Sequence, residues 1–290
     1  MFLVHLRGAT RSQMNSALKV GIVCCYYGKN SIKPTVNGLA RLAESVSATR
    51  IVHVANDEDS WSGLQNCRKL QAFPHQLVRH DNTGMEFGAY QVGLDTLENF
   101  SLDWVVFAND TFATRKKFDA VSRLKLVHEL HRSFDWPAVV GQVDSLPRSY
   151  RIANLRSHRW VTTNLFAINR TGLQALDHRI YRRELDQLIN ESADPMTFFS
   201  AETDEVLQAH LRAWLFRARP GAHWYASAPL EASNARSMAK KARSIMQEKY
   251  LSAYLDNIGA HFADQNRIPP TRKLLRYFLR NLDGIVSSRR

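Results

Sequence analysis

Cysteine is scarce in this sequence, with Cys24, Cys25 and Cys67 the only three among 290 residues. Three thiols cannot form a disulfide framework, and the absence of a Cys-x-x-Cys pair argues against a zinc site. We therefore expect a reducing, cytoplasmic setting. No run of about 18 apolar residues predicts a membrane span, and the start, 1–7, is charged too soon to predict a secretory signal. Repeats, low-complexity tracts, the dinucleotide-binding fingerprint and the P-loop are also missing.

Acidic residues are outnumbered, with 27 Asp and Glu against 39 Lys and Arg, which gives a net charge of +12. Residues 236–290 hold twelve basic and four acidic residues, so +8 of the charge lies in the last 55 positions and +4 in the first 235. This distribution argues against a uniformly basic nucleic-acid binder. Hydrophobic residues make up 44%, enough for a sizeable core. We predict a folded domain over 1–235 and a helical basic C-terminal extension over 236–290.

Apolar runs alternate with helical patterns through about the first 170 residues. The runs predict strands at 19–27, 50–55, 76–79, 104–108, 137–143 and 160–168. Helical spacing predicts helices at 37–47, 87–97, 125–134, from 171 to 176, at 203–216, over 237–262 as one or two helices, and at 271–282. This order predicts an α/β fold, with a Rossmann-like, mostly parallel sheet flanked by helices. Such sheets bind ligands beyond the carboxyl ends of their strands, so residues directly after each strand are the candidates for function.

The strand at 104–108 runs directly into Asn109 and Asp110. At the exposed end of a strand, a carboxylate and an amide oxygen would hold a divalent cation that bridges a diphosphate, since hard cations take oxygen ligands. Mg²⁺ or Mn²⁺ is the cofactor that this predicts, with Asp110 as the metal ligand. A simple turn or helix cap explains the same two residues and is slightly favoured on this segment alone.

A second polar segment, from Asn82 to Gly88, opens the predicted helix at 87–97. Gly84 and Gly88 flank Glu86, and glycines let the backbone approach a ligand closely, while helix N-terminal amides favour phosphate or hydroxyl oxygens. The alternative is a tight loop in which Glu86 complements the helix dipole. Taken alone, this segment is a weak indication of function.

In order and spacing, the two segments together resemble the rhamnan synthesis protein F family, over residues 19 to about 230. The matching positions are Asn82, Gly84, Glu86, Phe87, Gly88, Ala89, Asn109, Asp110 and Thr111. The resemblance implies a GT-A-like fold and a nucleotide-sugar-dependent glycosyltransferase, a hexosyltransferase that uses rhamnose or another hexose. Its acceptor would be a glycan or lipid-linked glycan of a growing bacterial cell-surface polysaccharide, such as lipopolysaccharide. The donor would lie against the segment from Asn82 to Gly88 and against Asn109 and Asp110.

Two positions depart from the pattern of that family. Glu86 stands where the family has Asp, and Ala108 stands where many GT-A enzymes have the first of two metal-binding Asp residues. One carboxylate holds a cation poorly, so cationic side chains would then neutralise the leaving diphosphate. Arg115, directly after the Asn-Asp segment, is one candidate for that role, beside Lys116, Lys117, Arg148, Arg151 and Lys29. For any single one of them, a solvated surface charge is the favoured explanation.

Three acidic residues, Glu202, Asp204 and Glu205, cluster where the helix at 203–216 is predicted to begin. Acids in a first helical turn stabilise the helix dipole, and this is a sufficient structural explanation. The cluster is also similar in position to the acidic pair that supplies the general base in inverting GT-A enzymes. Such a base would take the acceptor hydroxyl proton. Catalysis and capping are equally favoured, and the sequence does not choose among the three.

The predicted helix at 271–282 has Leu and Phe on one face and basic residues around the other. This pattern is typical of an interfacial helix on an anionic membrane surface, and equally of a helix packed on the domain. We expect a cytoplasmic protein, peripheral on the inner face of the cytoplasmic membrane, with no nucleic-acid partner. The alternative function is a non-catalytic carbohydrate- or nucleotide-binding protein that retains the fold.

Overall fold

The computed structural model describes residues 18–98, 100–114, 118–132, 134–216 and 224–265. Within these ranges the strands are β1 (Val20–Tyr26), β2 (Arg50–Ala55), β3 (His75–Arg79), β4 (Trp104–Asn109), β5 (Ala138–Ile152), β6 (Leu155–Asn169) and β7 (His261–Asp264). They form one seven-stranded sheet in the order β3-β2-β1-β4-β6-β5-β7. β6 pairs antiparallel with β4 and β5, while the other pairs are parallel. The predicted α/β fold with a mostly parallel sheet is therefore confirmed.

Eight α-helices connect and cover the strands in the described ranges. They are α1 (Ile32–Val46), α2 (Glu58–Gln65), α3 (Met85–Thr96), α4 (Thr111–Thr114), α5 (Ala120–Leu130), α6 (Arg170–Ala175), α7 (Glu205–Leu215) and α8 (Ala235–Asn257). α1 and α5 bury their apolar side chains against one face of the sheet. α3, α6 and the C-terminal half of α8 cover the other face. Because both faces are covered, the central strand β4 is buried along its whole length and apolar up to Ala108.

A third apolar cluster lies beyond the main sheet. β5 and β6 run longer than predicted because they continue past the sheet as an antiparallel hairpin. Tyr150 and Ile152 of that hairpin pack with Leu207 and Leu211 of α7 and with Met238 of α8. The hairpin, α7 and the N-terminal half of α8 thus form a wall at one end of the sheet.

The predicted boundary between 235 and 236 falls at the start of α8, and the described part beyond it is integral to the sheet domain. α8 packs across β6 and α3, and β7 pairs with β5. β7 lies inside the range taken as helical, because four residues are too few to reveal a strand period. None of the helices in the described ranges is long and apolar enough to cross a bilayer. The basic helix predicted at 271–282 lies outside the described residues.

Candidate functional site

The strands β1 to β4 are parallel neighbours, so their carboxyl ends and the loops that follow meet at one edge of the sheet. Hydrogen bonds tie these loops together. The Asp110 Oδ2 atom accepts from the backbone N–H of Tyr27 at 3.1 Å. The Asp57 Oδ2 atom accepts from the backbone N–H of Gly28 at 2.8 Å. The carboxyl edge is therefore a single polar surface on which hydrogen bonds join the loops after β1, β2 and β4.

Three buried polar groups at this edge have no hydrogen-bond partner in the described part of the chain. They are the Tyr27 hydroxyl, the Asn56 Nδ2 amide and the Asn82 Oδ1 atom, which follow β1, β2 and β3. The other end of the Asn56 amide lies 2.7 Å from His80 Nδ1, so one end is unsatisfied whichever way the amide faces. Buried polar groups in native proteins are nearly always satisfied by protein, water or ligand. Three such groups along one edge therefore indicate a binding surface for a polar ligand.

A cleft of about 390 Å³ opens beside the ends of β2 and β3. Its lining comes from the segment 55–58, Trp61 and the segment 79–81. The Arg79 guanidinium lies 4.5 Å from the centre of the Trp61 ring and pairs with Glu58 at 3.2 Å. The volume falls within the range of about 300–1,000 Å³ that is usual for small-molecule sites. The cleft adjoins the Asn56 amide and so extends the same binding surface.

The loop between β3 and α3 has an unusual backbone conformation. Asn82, Gly84 and Met85 all have positive φ values, of 63°, 71° and 53°, a conformation that is costly for a side chain such as that of Met85 and is often found at functional sites. The two glycines have internal roles here. A Cβ at Gly84 would meet the Tyr181 ring at 2.6 Å, and one at Gly88 would lie 1.8 Å from the Thr83 carbonyl oxygen. The protein itself thus fills the space beside each glycine, and the contact of Gly84 and Gly88 with a donor stays a prediction.

Glu86, predicted to hold the donor, instead forms a buried ion pair with α8. Its Oε1 accepts from Lys241 Nζ at 3.0 Å, and the carboxylate side chain is only 5% exposed. Burial raises the pKa of the Glu86 carboxyl, but the Lys241 ammonium and hydrogen bonds outweigh it and leave this pKa below its usual value. Burial lowers the pKa of Lys241, and the facing carboxylates Glu86 and Glu248 raise it above its usual value. Both groups therefore stay charged at neutral pH, and the pair joins the start of α3 to α8.

The Asn-Asp segment offers few ligands for a metal ion in the described part of the chain. Asn109 Oδ1 accepts hydrogen bonds from both the backbone N–H and the hydroxyl of Thr111. In the described residues, no three His, Cys, Asp or Glu side chains lie together in an arrangement for a metal ion. Asp110 would thus be the single protein oxygen ligand that this segment offers to a cation bridging a bound diphosphate. The carboxylate of Asp110 lies at the carboxyl edge, as predicted.

Helix capping explains the position of Asp204, one of the three acidic residues near the start of α7. Asp204 is the N-cap, and its Oδ1 accepts from the backbone N–H groups of Val206 and Leu207 at 3.0 and 3.3 Å. Glu202 and Glu205 are exposed. No hydrogen bond or ion pair between described residues joins these three acids to the carboxyl edge. Arg115, the predicted partner of the leaving group, lies outside the described residues.

Two charged residues of α8, Lys241 and Glu248, reach the site, and a third, Lys249, lies beside Glu248. All three were missed from the sequence, because α8 was assigned to the basic extension. Lys241 pairs with Glu86, as above. Glu248 accepts two hydrogen bonds from Thr163 of β6. Lys249 is almost fully buried beside Trp160, and burial lowers its pKa to about 7, against the opposing effect of Glu248. The signal available in the sequence was the mixture of acidic and basic residues within one helical face.

Comparisons with known proteins add little to this geometry. No family model and no curated protein matches the sequence, so the resemblance to the rhamnan synthesis protein F family stays a prediction. Similar solved structures include the 2-C-methyl-D-erythritol 4-phosphate cytidylyltransferase of Francisella tularensis, with 14% identity, 56% of this chain and 77% of that chain covered, and a TM-score of 0.34. A glucose-1-phosphate thymidylyltransferase from Bacillus anthracis matches with 10% identity, coverage of 84% and 85%, and a TM-score of 0.37. These neighbours are nucleotidyltransferases, but at such TM-scores they carry no conclusion about this chain.

Proposed function

We propose that this chain is a nucleotide-sugar-dependent glycosyltransferase whose donor lies beyond the carboxyl ends of β1 to β4. The observation that carries the proposal is the row of buried, unsatisfied polar groups on Tyr27, Asn56 and Asn82. Hydroxyl and amide groups complement the hydroxyls of a ribose or sugar and the polar edge of a base. A parallel sheet binds such ligands at this edge, within a cleft of suitable volume.

The finer part of the proposal concerns the sugar and the acceptor. The resemblance carried by residues 82–89 and 109–111 supports a hexose, such as rhamnose, and a growing bacterial cell-surface polysaccharide as the acceptor. A lipid-linked acceptor would bring the enzyme to the inner face of the cytoplasmic membrane, for which 271–282 has a suitable residue pattern.

A screen of donors tests the proposal directly. The full chain is heated with UDP-glucose, UDP-N-acetylglucosamine, GDP-mannose or dTDP-L-rhamnose, each with and without Mg²⁺ or Mn²⁺. A donor at 100 times its Kd stabilises the folded state by about 2.7 kcal/mol, which raises Tm by roughly 5–10 °C for a chain of this size. Release of the nucleoside diphosphate from the stabilising donor is then measured. Absence of any Tm shift contradicts the proposal, and binding without release favours the non-catalytic alternative.

The variant Tyr27→Phe tests whether the donor binds to the unsatisfied polar groups. It removes one hydroxyl that has no hydrogen-bond partner among the described residues, so we expect the Tm without ligand to stay unchanged or rise. Donor affinity should fall roughly threefold to tenfold, the worth of one hydrogen bond. Isothermal titration with the donor chosen by the screen measures this.

The matched control is Tyr254→Phe on α8. The Tyr254 hydroxyl donates to the Ala175 carbonyl oxygen at 2.8 Å, so its removal should lower stability by about 1 kcal/mol and leave donor affinity unchanged. If Tyr27→Phe behaves like Tyr254→Phe, with lower stability and unchanged affinity, the donor lies elsewhere.

A further inference from the structure

Glu248 of α8 stands where β6 passes the end of β4. Its Oε2 atom accepts from the backbone N–H and from the hydroxyl of Thr163, both at 2.9 Å. β4 and β6 are antiparallel, and their last pair at this end is Ala108 with Leu165. Thr163 and Asp110 are each two residues past that pair, so they follow the same end of the two strands. The Glu248 carboxylate is therefore held at the carboxyl edge, on the side of the sheet that α3 and α8 cover.

The two oxygens of the Glu248 carboxylate have different partners. Both hydrogen bonds from Thr163 go to Oε2, and the Lys249 ammonium forms an ion pair with Oε1 at 3.8 Å. The Glu248 side chain is 17% exposed, while the Lys249 side chain is 1% exposed. A carboxylate that is oriented by hydrogen bonds and partly open to solvent can act as a general base.

The other acidic side chains considered so far have other tasks. Glu86 is engaged by Lys241, and Asp110 accepts from the Tyr27 N–H. Asp204 caps α7, and its exposed neighbours make no contact with the edge in the described part of the chain. Among these acidic side chains, Glu248 combines a position at the edge with an orientation fixed by Thr163 and partial exposure to solvent.

We propose that Glu248 is the general base of the transfer reaction, which rests on the proposed function. An acceptor hydroxyl attacks the anomeric carbon of the donor sugar, and a new carbon–oxygen bond forms. The bond between that carbon and the diphosphate oxygen breaks, and the nucleoside diphosphate leaves with the electron pair. The hydroxyl proton goes to the Glu248 carboxylate as the new bond forms.

The test compares Glu248→Gln with the wild-type chain, using the donor that gives the largest Tm shift in the screen. The Gln carbonyl can accept both hydrogen bonds from Thr163, so the fold and the donor-induced Tm shift should be kept. Release of the nucleoside diphosphate, with water as the acceptor, should fall about 10²- to 10⁴-fold, because the base is gone. Glu44→Gln, an exposed change on α1, is the matched control and should release it at the wild-type rate.

A second variant keeps the test decisive if Glu248→Gln is unstable. Thr163→Val removes the hydroxyl donor and keeps the backbone one, so kcat should fall while the donor Kd stays unchanged. Wild-type turnover in Glu248→Gln or in Thr163→Val overturns the assignment, and so does loss of donor binding in parallel with turnover. Loss of turnover in Glu205→Gln, with Glu248→Gln active, would place the base on α7. If the wild-type chain binds none of the donors, the proposed function itself fails.

Discussion

The substitution Lys241→Met is expected to lower the free energy of unfolding by about 3–5 kcal/mol at pH 7, because it leaves the buried Glu86 carboxylate without its cation. The Glu86 side chain is 5% exposed, and Lys241 Nζ is its ion-pair partner at 3.0 Å. Met fills most of the volume of the Lys side chain, so lost packing contributes little. Urea unfolding of both proteins measures the difference.

The pH dependence of this difference in the free energy of unfolding shows whether it comes from the lost charge or from lost packing. In the wild-type chain the ion pair keeps the Glu86 pKa below its usual value, so the pair stabilises the fold above that value and its contribution is lost as the pH falls through the lowered pKa. In Lys241→Met, burial still raises the pKa of Glu86, and the cation that lowered it is gone, so the protonated form of Glu86 is favoured. The gap in stability should therefore be widest near pH 7 and narrow as the pH falls towards about 4.

Two further variants decide whether the pair is responsible. The double variant with Glu86→Gln removes the orphaned charge and should recover most of the lost stability. Lys240→Met, an exposed neighbour on α8, should change stability by less than about 0.5 kcal/mol. A gap that is constant with pH, or a double variant no more stable than Lys241→Met, would mean that the charge is not the cause.

The sheet could be predicted from the sequence because its central strands are buried on both faces and therefore appear as short apolar runs. The run ending at Ala108 became β4, and the one ending at Tyr27 became β1. The helix α2 was missed because it buries only Ser60 and Leu64, although Asp57 and Ser60 form its capping box. Local sequence patterns predict helices and strands that bury a regular stripe of apolar side chains. They fail for elements that bury few side chains.

The location of the candidate site could be predicted from the sequence, but the ion pair between Glu86 and Lys241 could not. Parallel strands bring their carboxyl ends together whatever the details, so the positions of Asn82 and Asp110 followed from topology alone. The partner of Glu86 is 155 residues away on a helix that the charge distribution assigned to a tail. Such contacts depend on how α8 packs across the sheet. The spacing of residues within a short segment carries no information about that packing. Glu86 is therefore part of an internal ion pair that the sequence did not reveal, and its contact with a donor stays a prediction.

Gly88→Ala is expected to be among the most destabilising single-methyl additions in the chain. A Cβ at this position would lie 1.8 Å from the backbone oxygen of Thr83 and 2.9 Å from the His80 ring. Backbone cannot move aside as a flexible side chain can, so the loop before α3 must shift. We expect a loss of about 2–3 kcal/mol or more from overpacking, against at most about 1 kcal/mol gained in helix propensity. The same shift displaces Asn82, so donor affinity should fall in the same variant.

Gly259→Ala provides the control for adding a methyl group where there is room. Gly259 has a φ of 74°, and nothing lies within 4 Å of a Cβ built there, so only the backbone penalty of about 1–2 kcal/mol applies. Its donor affinity should equal that of the wild-type chain, because the residue follows α8 and lies outside the loops of the carboxyl edge. If Gly88→Ala keeps full stability and full donor affinity, the close packing of Thr83 on α3 does not hold the binding loop in place.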